Sequence, residues 1–322
     1  MEKWNVYLTG RLPQTAIDLL KESCEVEMNL EDRLLTKGEL MEKIKGRDAI
    51  ITLLADKIDS EVIAAADKIK VIANYAVGYD NIDIKVATAK NIYVTNTPGV
   101  LTDTTADLAW ALLFAVARRV AEADRYTREL KFKSWSPMLF LGQDISKKTL
   151  GIIGCGRIGQ AFAKKAKGFE MKLLYHSNKP KADFEKETGA VYASKEELLR
   201  NSDFISLHVP LLPSTRYLID EKELKLMKKT AILINTSRGP VVKEKALVKA
   251  LKNNQIWGAG LDVYENEPAL SPGLTDLDNV VILPHIGSAS VETRTKMATM
   301  AVENILAVVK GEVPAYWVNQ NF

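Results

Sequence analysis

Residues 149–159 read TLGIIGCGRIG, and the periodicity on either side of this stretch decides the fold. A short apolar run, 150–153, leads directly into Gly154-Cys155-Gly156-Arg157-Ile158-Gly159. A helical pattern follows, with Ala161, Phe162, Ala166 and Phe169 on it. In a strand–turn–helix unit of this kind the first glycine permits the tight turn. The second lets backbone approach a pyrophosphate, and the third lets the helix pack close to the strand. The helix N-terminus then offers unpaired N–H groups to the phosphates. A lone glycine pattern is a weak signal, but this one heads a run of βα units, which favours a dinucleotide site over a turn that only packs helix on sheet. Arg157 is a candidate phosphate contact or a solvated side chain.

The cofactor-selecting position lies at the end of the next strand, where an acid about 20 residues on would bind the ribose 2′-OH of NAD. Ser177 stands there, 18 residues after Gly159, and no Asp or Glu occurs between Met171 and Lys181. Ser177, Asn178 and Lys179 are donors suited to a 2′-phosphate, with Lys181 adding positive charge. NADP(H) is therefore the expected cofactor, with NAD(H) possible.

Outward from this loop, apolar runs alternate with helical patterns almost throughout, which argues for α/β architecture with parallel sheets and crossover helices. The first series of strands is expected at 6–9, 26–29, 49–53, 71–74 and 92–95. The second is expected at 150–153, 172–175, 191–193, 204–208, 231–235, 258–261 and 280–283. Thr36 and Glu39 have the spacing of a capping box. One long helix is expected over 102–130 and another over 290–310, with Gly311 as its stop. Between 131 and 148 lies a looser segment rich in apolar residues, Trp135, Pro137, Met138, Leu139 and Phe140 among them. It reads as a subunit contact or as a loop folded onto its own domain.

At about 150 residues per domain, 322 residues suggest two domains. Lysine and arginine number 44 against 41 acidic residues, and the net +3 gives no reason to expect nucleic acid or a membrane surface as partner. The two cysteines, Cys24 and Cys155, stand in no metal-ligand spacing. With no apolar leader in MEKWNVYLTG and no run long enough to span a membrane, a reduced cytoplasmic setting is expected.

The three histidines, His176, His208 and His285, each closely follow a strand of the second series. Ligands of open α/β sheets bind at the carboxyl ends of strands, so all three are site candidates. His208, in Leu207-His208-Val209-Pro210, suits ring packing or a backbone contact. His285, before Ile286-Gly287-Ser288, is the best acid/base candidate, because histidine titrates near neutrality. A structural histidine is the competing reading. Arg238, in Asn235-Thr236-Ser237-Arg238-Gly239, suits a substrate carboxylate or an ion pair between domains. Asp262, Glu265 or Glu267 could orient His285, and spacing alone does not choose among them.

Five motifs in order carry a resemblance over essentially the whole chain: NYAVGYDNID at 74–83, the GCGRIG loop, NTSRG at 235–239, GLDVYENEP at 260–268 and LPHIGSAS at 283–290. Together they resemble the D-isomer-specific 2-hydroxyacid dehydrogenases, and among these the glyoxylate/hydroxypyruvate reductases. The resemblance implies two doubly wound parallel-sheet domains. One is a flavodoxin-like substrate domain, 1–98 with 289–322, and the other a Rossmann cofactor domain, 99–288. It implies Arg238, Glu267 and His285 as the catalytic set, with substrate held near Leu53 and by backbone around Val77 and Gly78. It places the cofactor against His208, Val209, Pro210, Thr236, Ser237, Arg238, Asp262, His285 and Gly287 besides the glycine loop, Asp262 taking the nicotinamide carboxamide. A homodimer is implied, with 102–148 in the contact and Trp135 reaching the neighbouring subunit's substrate site. The expected reaction passes hydride from NADPH to a small 2-oxoacid. A phosphoglycerate-type enzyme is disfavoured because no regulatory domain follows residue 322, and a formate dehydrogenase because Glu267 is present. A dinucleotide-sensing binding protein stays open.

Overall fold

The computed structural model describes residues 3–320; Met1, Glu2, Asn321 and Phe322, assigned to the substrate domain from sequence, lie outside the described residues. The strand-like runs become parallel strands in two separate sheets. In the first, β1 (Trp4–Leu8), β2 (Cys24–Met28), β3 (Ala49–Thr52), β4 (Val71–Asn74) and β5 (Tyr93–Thr95) lie in the order β2-β1-β3-β4-β5. That is the flavodoxin-like doubly wound order. In the second are β6 (Thr149–Ile153), β7 (Lys172–His176), β8 (Val191–Tyr192), β9 (Phe204–Leu207), β10 (Ile232–Asn235), β11 (Gly258–Leu261) and β12 (Val280–Ile282), ordered β12-β11-β10-β9-β6-β7-β8. Strand order reverses between β6 and β9, where a Rossmann sheet opens its ligand crevice. Two compact units result, one holding the stretches up to Leu101 and from Ser288, the other Thr102–Gly287.

Parallel strands are covered on both faces, so they read as continuous apolar runs. β3, β4, β9, β10 and β11 are buried at every position. In the first unit Ile50, Ile72, Ile58, Val62 and Ile63 pack together with Tyr7. Each such side chain contributes about 1.5–3 kcal/mol on burial. In the second unit one face of the sheet packs against Leu198, Leu224, Leu247 and Leu251. The other packs against Trp110, Leu112, Leu113 and Phe162, where Trp110 stacks on Phe169 with centroids 5.2 Å apart. The helix Val291–Val309 lies against the helix Gln14–Lys21 and β4 of the first unit. Its N-cap is Ser290, and Gly311 follows it at φ 78°, the left-handed stop expected there. The Thr36–Glu39 capping box forms with both of its bonds.

One expectation is corrected. The single helix over 102–130 is two helices, Thr102–Ala117 and Val120–Arg128. The break is at Arg119, which turns to φ 51°. Its guanidinium makes two bonds to Glu122, at 2.6 and 2.8 Å, and lies 5.0 Å from the Phe140 ring centre. The local ion pair and the ring contact compensate a left-handed residue that helix propensity disfavours.

Candidate active site

The glycine loop follows β6 and leads into the helix Arg157–Lys165. Gly154 has φ 99°, and a Cβ there would lie 2.5 Å from the His208 carbonyl oxygen. Only glycine tolerates both conditions. A Cβ on Gly159 would lie 2.0 Å from the Gly154 carbonyl oxygen, so helix and turn touch there. Gly156 differs: a Cβ would meet no described atom within 4 Å, and the residue is exposed. That opening is what backbone needs to approach a pyrophosphate. Cys155 is buried beneath the loop, Arg157 is exposed at the start of the helix, and Ile158 is half-buried.

Two buried polar atoms at the ends of neighbouring strands support the fit of a dinucleotide. Thr236 Oγ1, just past β10, and Asp262 Oδ2, just past β11, meet no hydrogen-bond partner among the described residues. Unpaired buried polar atoms are costly and rare, and a ligand amide or hydroxyl would satisfy them. Asp262 Oδ1 accepts from the Ile286 N–H at 2.7 Å. Burial pushes the Asp262 carboxyl up to about 6, against the Ile286 bond and the nearby His285. At the end of β7 the Ser177 hydroxyl donates to the Lys179 carbonyl at 2.7 Å and closes the turn. Its proton is thereby used, leaving the exposed Asn178 and Lys179 as the side-chain donors of this loop.

The structure separates the three histidines. His176 donates from Nδ1 to the Ala193 carbonyl at 3.0 Å and stacks near Tyr192. His208 has Nε2 on Ser206 Oγ at 2.9 Å and its ring 5.1 Å from Phe162. Burial pushes His208 down to about 3, so its ring is neutral at ordinary pH. His285 donates from Nδ1 to Glu267 Oε2 at 2.8 Å, which leaves Nε2 for other chemistry. His285 also sits at φ 53°, a left-handed conformation that turns it out of the line of β12. Such strain in a non-glycine residue clusters at functional sites.

Sequence spacing left open which acid faces His285, and geometry resolves it. Asp262 turns to the Ile286 N–H. Glu265 accepts from Tyr217 OH at 2.5 Å and from the Glu244 N–H at 3.1 Å. Glu267 alone of the three makes a hydrogen bond to the ring. Burial penalises its charge, but the bond and charge of His285, the Tyr264 N–H at 2.9 Å and the charge of Arg238 outweigh this. Glu267 is held below the usual carboxylate range. Arg238 donates to the Ser237 carbonyl at 2.9 Å, and Asn235 Nδ2 holds the Arg238 carbonyl at 3.0 Å. Val209 is half-buried, Pro210 is exposed and Gly287 is buried.

In the first unit, the loops after β3 and β4 hold Leu53, Val77 and Gly78. Asn74 Nδ2 donates to the Gly78 carbonyl at 2.7 Å, and Asn96 Nδ2 to the Val77 carbonyl at 2.8 Å. Asn81 Nδ2 reaches the carbonyls of Leu53 at 3.3 Å and Asp56 at 3.0 Å. The carbonyls are thus taken, while the N–H groups of Val77 and Gly78 donate to no described acceptor. Sequence reading named the backbone here but missed the three asparagines that shape it. Their signal was available: Asn74 and Asn81 flank Gly78 within one motif.

Trp135 is 80% exposed, and Leu130, Phe132, Met138 and Leu141 nearby are also exposed. Leu139 and Phe140 of the same segment are half-buried, and Phe140 packs on Tyr126. Among the described residues no group of His, Cys, Asp and Glu is arranged to hold a metal, and no helix is long and apolar enough to cross a membrane.

Comparison with known proteins adds to this geometry. Residues 110–287 match the family profile described as D-isomer specific 2-hydroxyacid dehydrogenase, NAD binding domain. A glyoxylate reductase from Thermococcus litoralis is 53% identical over 99% of this chain and 98% of its own length. A crystal structure from Thermus thermophilus superposes with a TM-score of 0.90 at 47% identity, covering 98% of this chain and 99% of that one. An NADPH-dependent glyoxylate/hydroxypyruvate reductase from Sinorhizobium meliloti, solved with NADP and malonate, gives a TM-score of 0.85 at 30% identity, with 98% and 97% coverage.

Proposed function

We propose that this chain, which belongs to the D-isomer-specific 2-hydroxyacid dehydrogenase family, is a glyoxylate/hydroxypyruvate reductase that prefers NADPH to NADH. The observation that carries the chemistry is the 2.8 Å bond from His285 Nδ1 to Glu267. It fixes the tautomer and leaves Nε2 to give a proton to the substrate oxygen. The bound reduced nicotinamide supplies the hydride. Ionised Glu267 favours the protonated ring that reduction needs. Arg238 takes the substrate carboxylate through its guanidinium fork and stabilises negative charge growing on the carbonyl oxygen. The free N–H groups of Val77 and Gly78 are proposed as further carboxylate donors, with Leu53 beside the substrate. His208, Val209, Pro210, Thr236, Ser237, Asp262 and Gly287 join the glycine loop as cofactor contacts.

The choice of glyoxylate or hydroxypyruvate rests on what the Thermococcus and Sinorhizobium relatives are named for. The preference for NADPH rests on Asn178, Lys179 and the missing acid after β7. Two free, buried cysteines fit a reduced, cytoplasmic setting. The exposed apolar residues around Trp135 support a homodimer. A panel of 2-oxoacids, assayed with NADPH and with NADH, tests the reading, with Ser177→Asp as the variant expected to erode the preference. Higher kcat/KM with NADH in the parent would sink the cofactor claim, and no turnover of any 2-oxoacid would favour a dinucleotide-sensing role. Light scattering that reports a monomer at assay concentration would reject the dimer.

A further inference from the structure

Glu267 projects from a loop, 265–271, whose two ends are held by one carboxylate. Glu244 begins the helix Glu244–Lys252 and is only 2% exposed. Its Oε1 accepts from the Glu265 N–H, and its Oε2 accepts from the Ser271 N–H at 3.2 Å. The grip is reciprocal, because Glu265 Oε2 accepts from the Glu244 N–H at 3.1 Å. A buried carboxylate is costly unless its oxygens are bonded, and here both are spent on backbone of the same loop.

The held loop meets the other candidate catalytic residues on two sides. A Cβ on Gly239 would lie 1.7 Å from the Tyr264 carbonyl oxygen, so the backbone after Arg238 is flush against the peptide entering the loop. Tyr264 donates its N–H to Glu267 Oε1 at 2.9 Å and its hydroxyl to the Leu283 carbonyl at 2.7 Å, just ahead of His285. The groups acting on the dyad are Arg238, through its charge on Glu267, and Asp262, which interacts with His285 and Glu267. Glu244 hydrogen-bonds to neither member of the dyad.

We propose that Glu244 is a positioning residue, which clasps both ends of loop 265–271 and thereby fixes Glu267 against the His285 ring. Its kinetic consequence rests on the reductase reading above, and its structural consequence does not. Glu244→Asp keeps the charge but is one carbon too short to reach both N–H groups. Glu244→Gln keeps the reach but turns an amide donor toward a donor, and it serves where the Asp variant does not fold. The measurements are reductive kcat and KM for glyoxylate against pH, NADPH binding by fluorescence, thermal midpoint, and the Nδ1–H signal of His285 in 15N-histidine-labelled protein.

Expected are a loss of kcat on the order of tenfold, since small misplacements of catalytic groups are costly, a fall-off of reduction that begins at lower pH, and an Nδ1–H signal moved from its hydrogen-bonded position. NADPH affinity should stay that of the parent. A folded Glu244→Asp with parental kcat, pH profile and ring signal would overturn the proposal. A lower thermal midpoint with an unmoved ring signal would overturn it too, assigning Glu244 to stability alone. If the parent itself reduces no 2-oxoacid, the functional reading falls, and the ring signal still decides the role of Glu244.

Discussion

Beyond β3 and β4 of the first sheet, the carboxamides of Asn74, Asn81 and Asn96 hold a loop by its carbonyls and leave backbone N–H groups free. Beyond β10, β11 and β12 of the second sheet stand an arginine, two acids and a histidine, with burial raising Asp262 and the ring bond helping to lower Glu267. Both sheets place candidate groups at the carboxyl ends of parallel strands, as open α/β sheets do. The three carboxamides at one end are dipoles that do not titrate, and the side chains at the other are charges that do. The difference separates binding from proton transfer: a backbone donor holds an anion at any pH, whereas a proton donor must change state to act.

Substitutions on the two sides should therefore fail in different ways. His285→Ala should have the largest effect, a loss of kcat of roughly 10²–10⁴ at every pH, the usual worth of a positioned acid. NADPH binding should stay near parental, and retained kcat would break the comparison at once. Glu267→Gln comes next. Its carboxyl is held below the usual carboxylate range, so it is ionised at neutral pH. Without that charge the protonated ring is less favoured, and the reductive rate should begin to fall at lower pH. An unmoved profile would reject Glu267 as the ring's partner.

Asn74→Ala, on the dipole side, should raise KM for glyoxylate by about tenfold with little change in kcat, because it loosens binding without removing a proton donor. The effect should not vary with pH. A kcat loss with a shifted pH profile would show that the two ends are not separable in this way.

Asp262→Asn should have the smallest effect, read in stability. The folded protein keeps the Asp262 proton up to about 6, whereas the ordinary value is 3.8, so in that window the unfolded chain ionises first. Stability therefore falls as pH rises through the window, and the penalty persists above it. The Asn variant should melt a few degrees higher than the parent at pH 7.5, on the order expected for a unit of this size. It should show no gain at pH 3.5. A gain that is equal at both pH values would show that the carboxyl is not strained by burial.

The sheets were largely legible in the sequence, because strands covered on both faces read as plain apolar runs, and strands such as 71–74 and 258–261 fall where expected. The break at Arg119 was not. No glycine or proline marks it. The Glu122 pair is local, but the Phe140 ring that also braces the turn comes from a separate segment. At the candidate site, His285 was legible from its place after a strand, whereas spacing alone did not name its partner and only the family resemblance implied Glu267. Asp262, Glu265 and Glu267 lie within six residues, and the folded loop turns the Glu267 carboxylate toward the ring. Glu244 was not legible either, because an acid in the first turn of a helix ordinarily reads as a solvated charge at the positive end of the dipole.

The three glycines of the nucleotide loop would record the history of such a site unequally. Gly154 and Gly159 have backbone oxygens within 2.5 Å of where a side chain would begin, so replacing either disturbs the fold whether or not a nucleotide ever binds. Gly156 faces open space at an ordinary φ of −80°, and the fold does not require it. In a lineage that stopped using the cofactor, the outer two would persist under selection for a folded chain while the middle one drifted. A descendant that keeps the first and third glycines but has lost the second would mark a lapsed site, and counting glycines in the motif would miss the lapse.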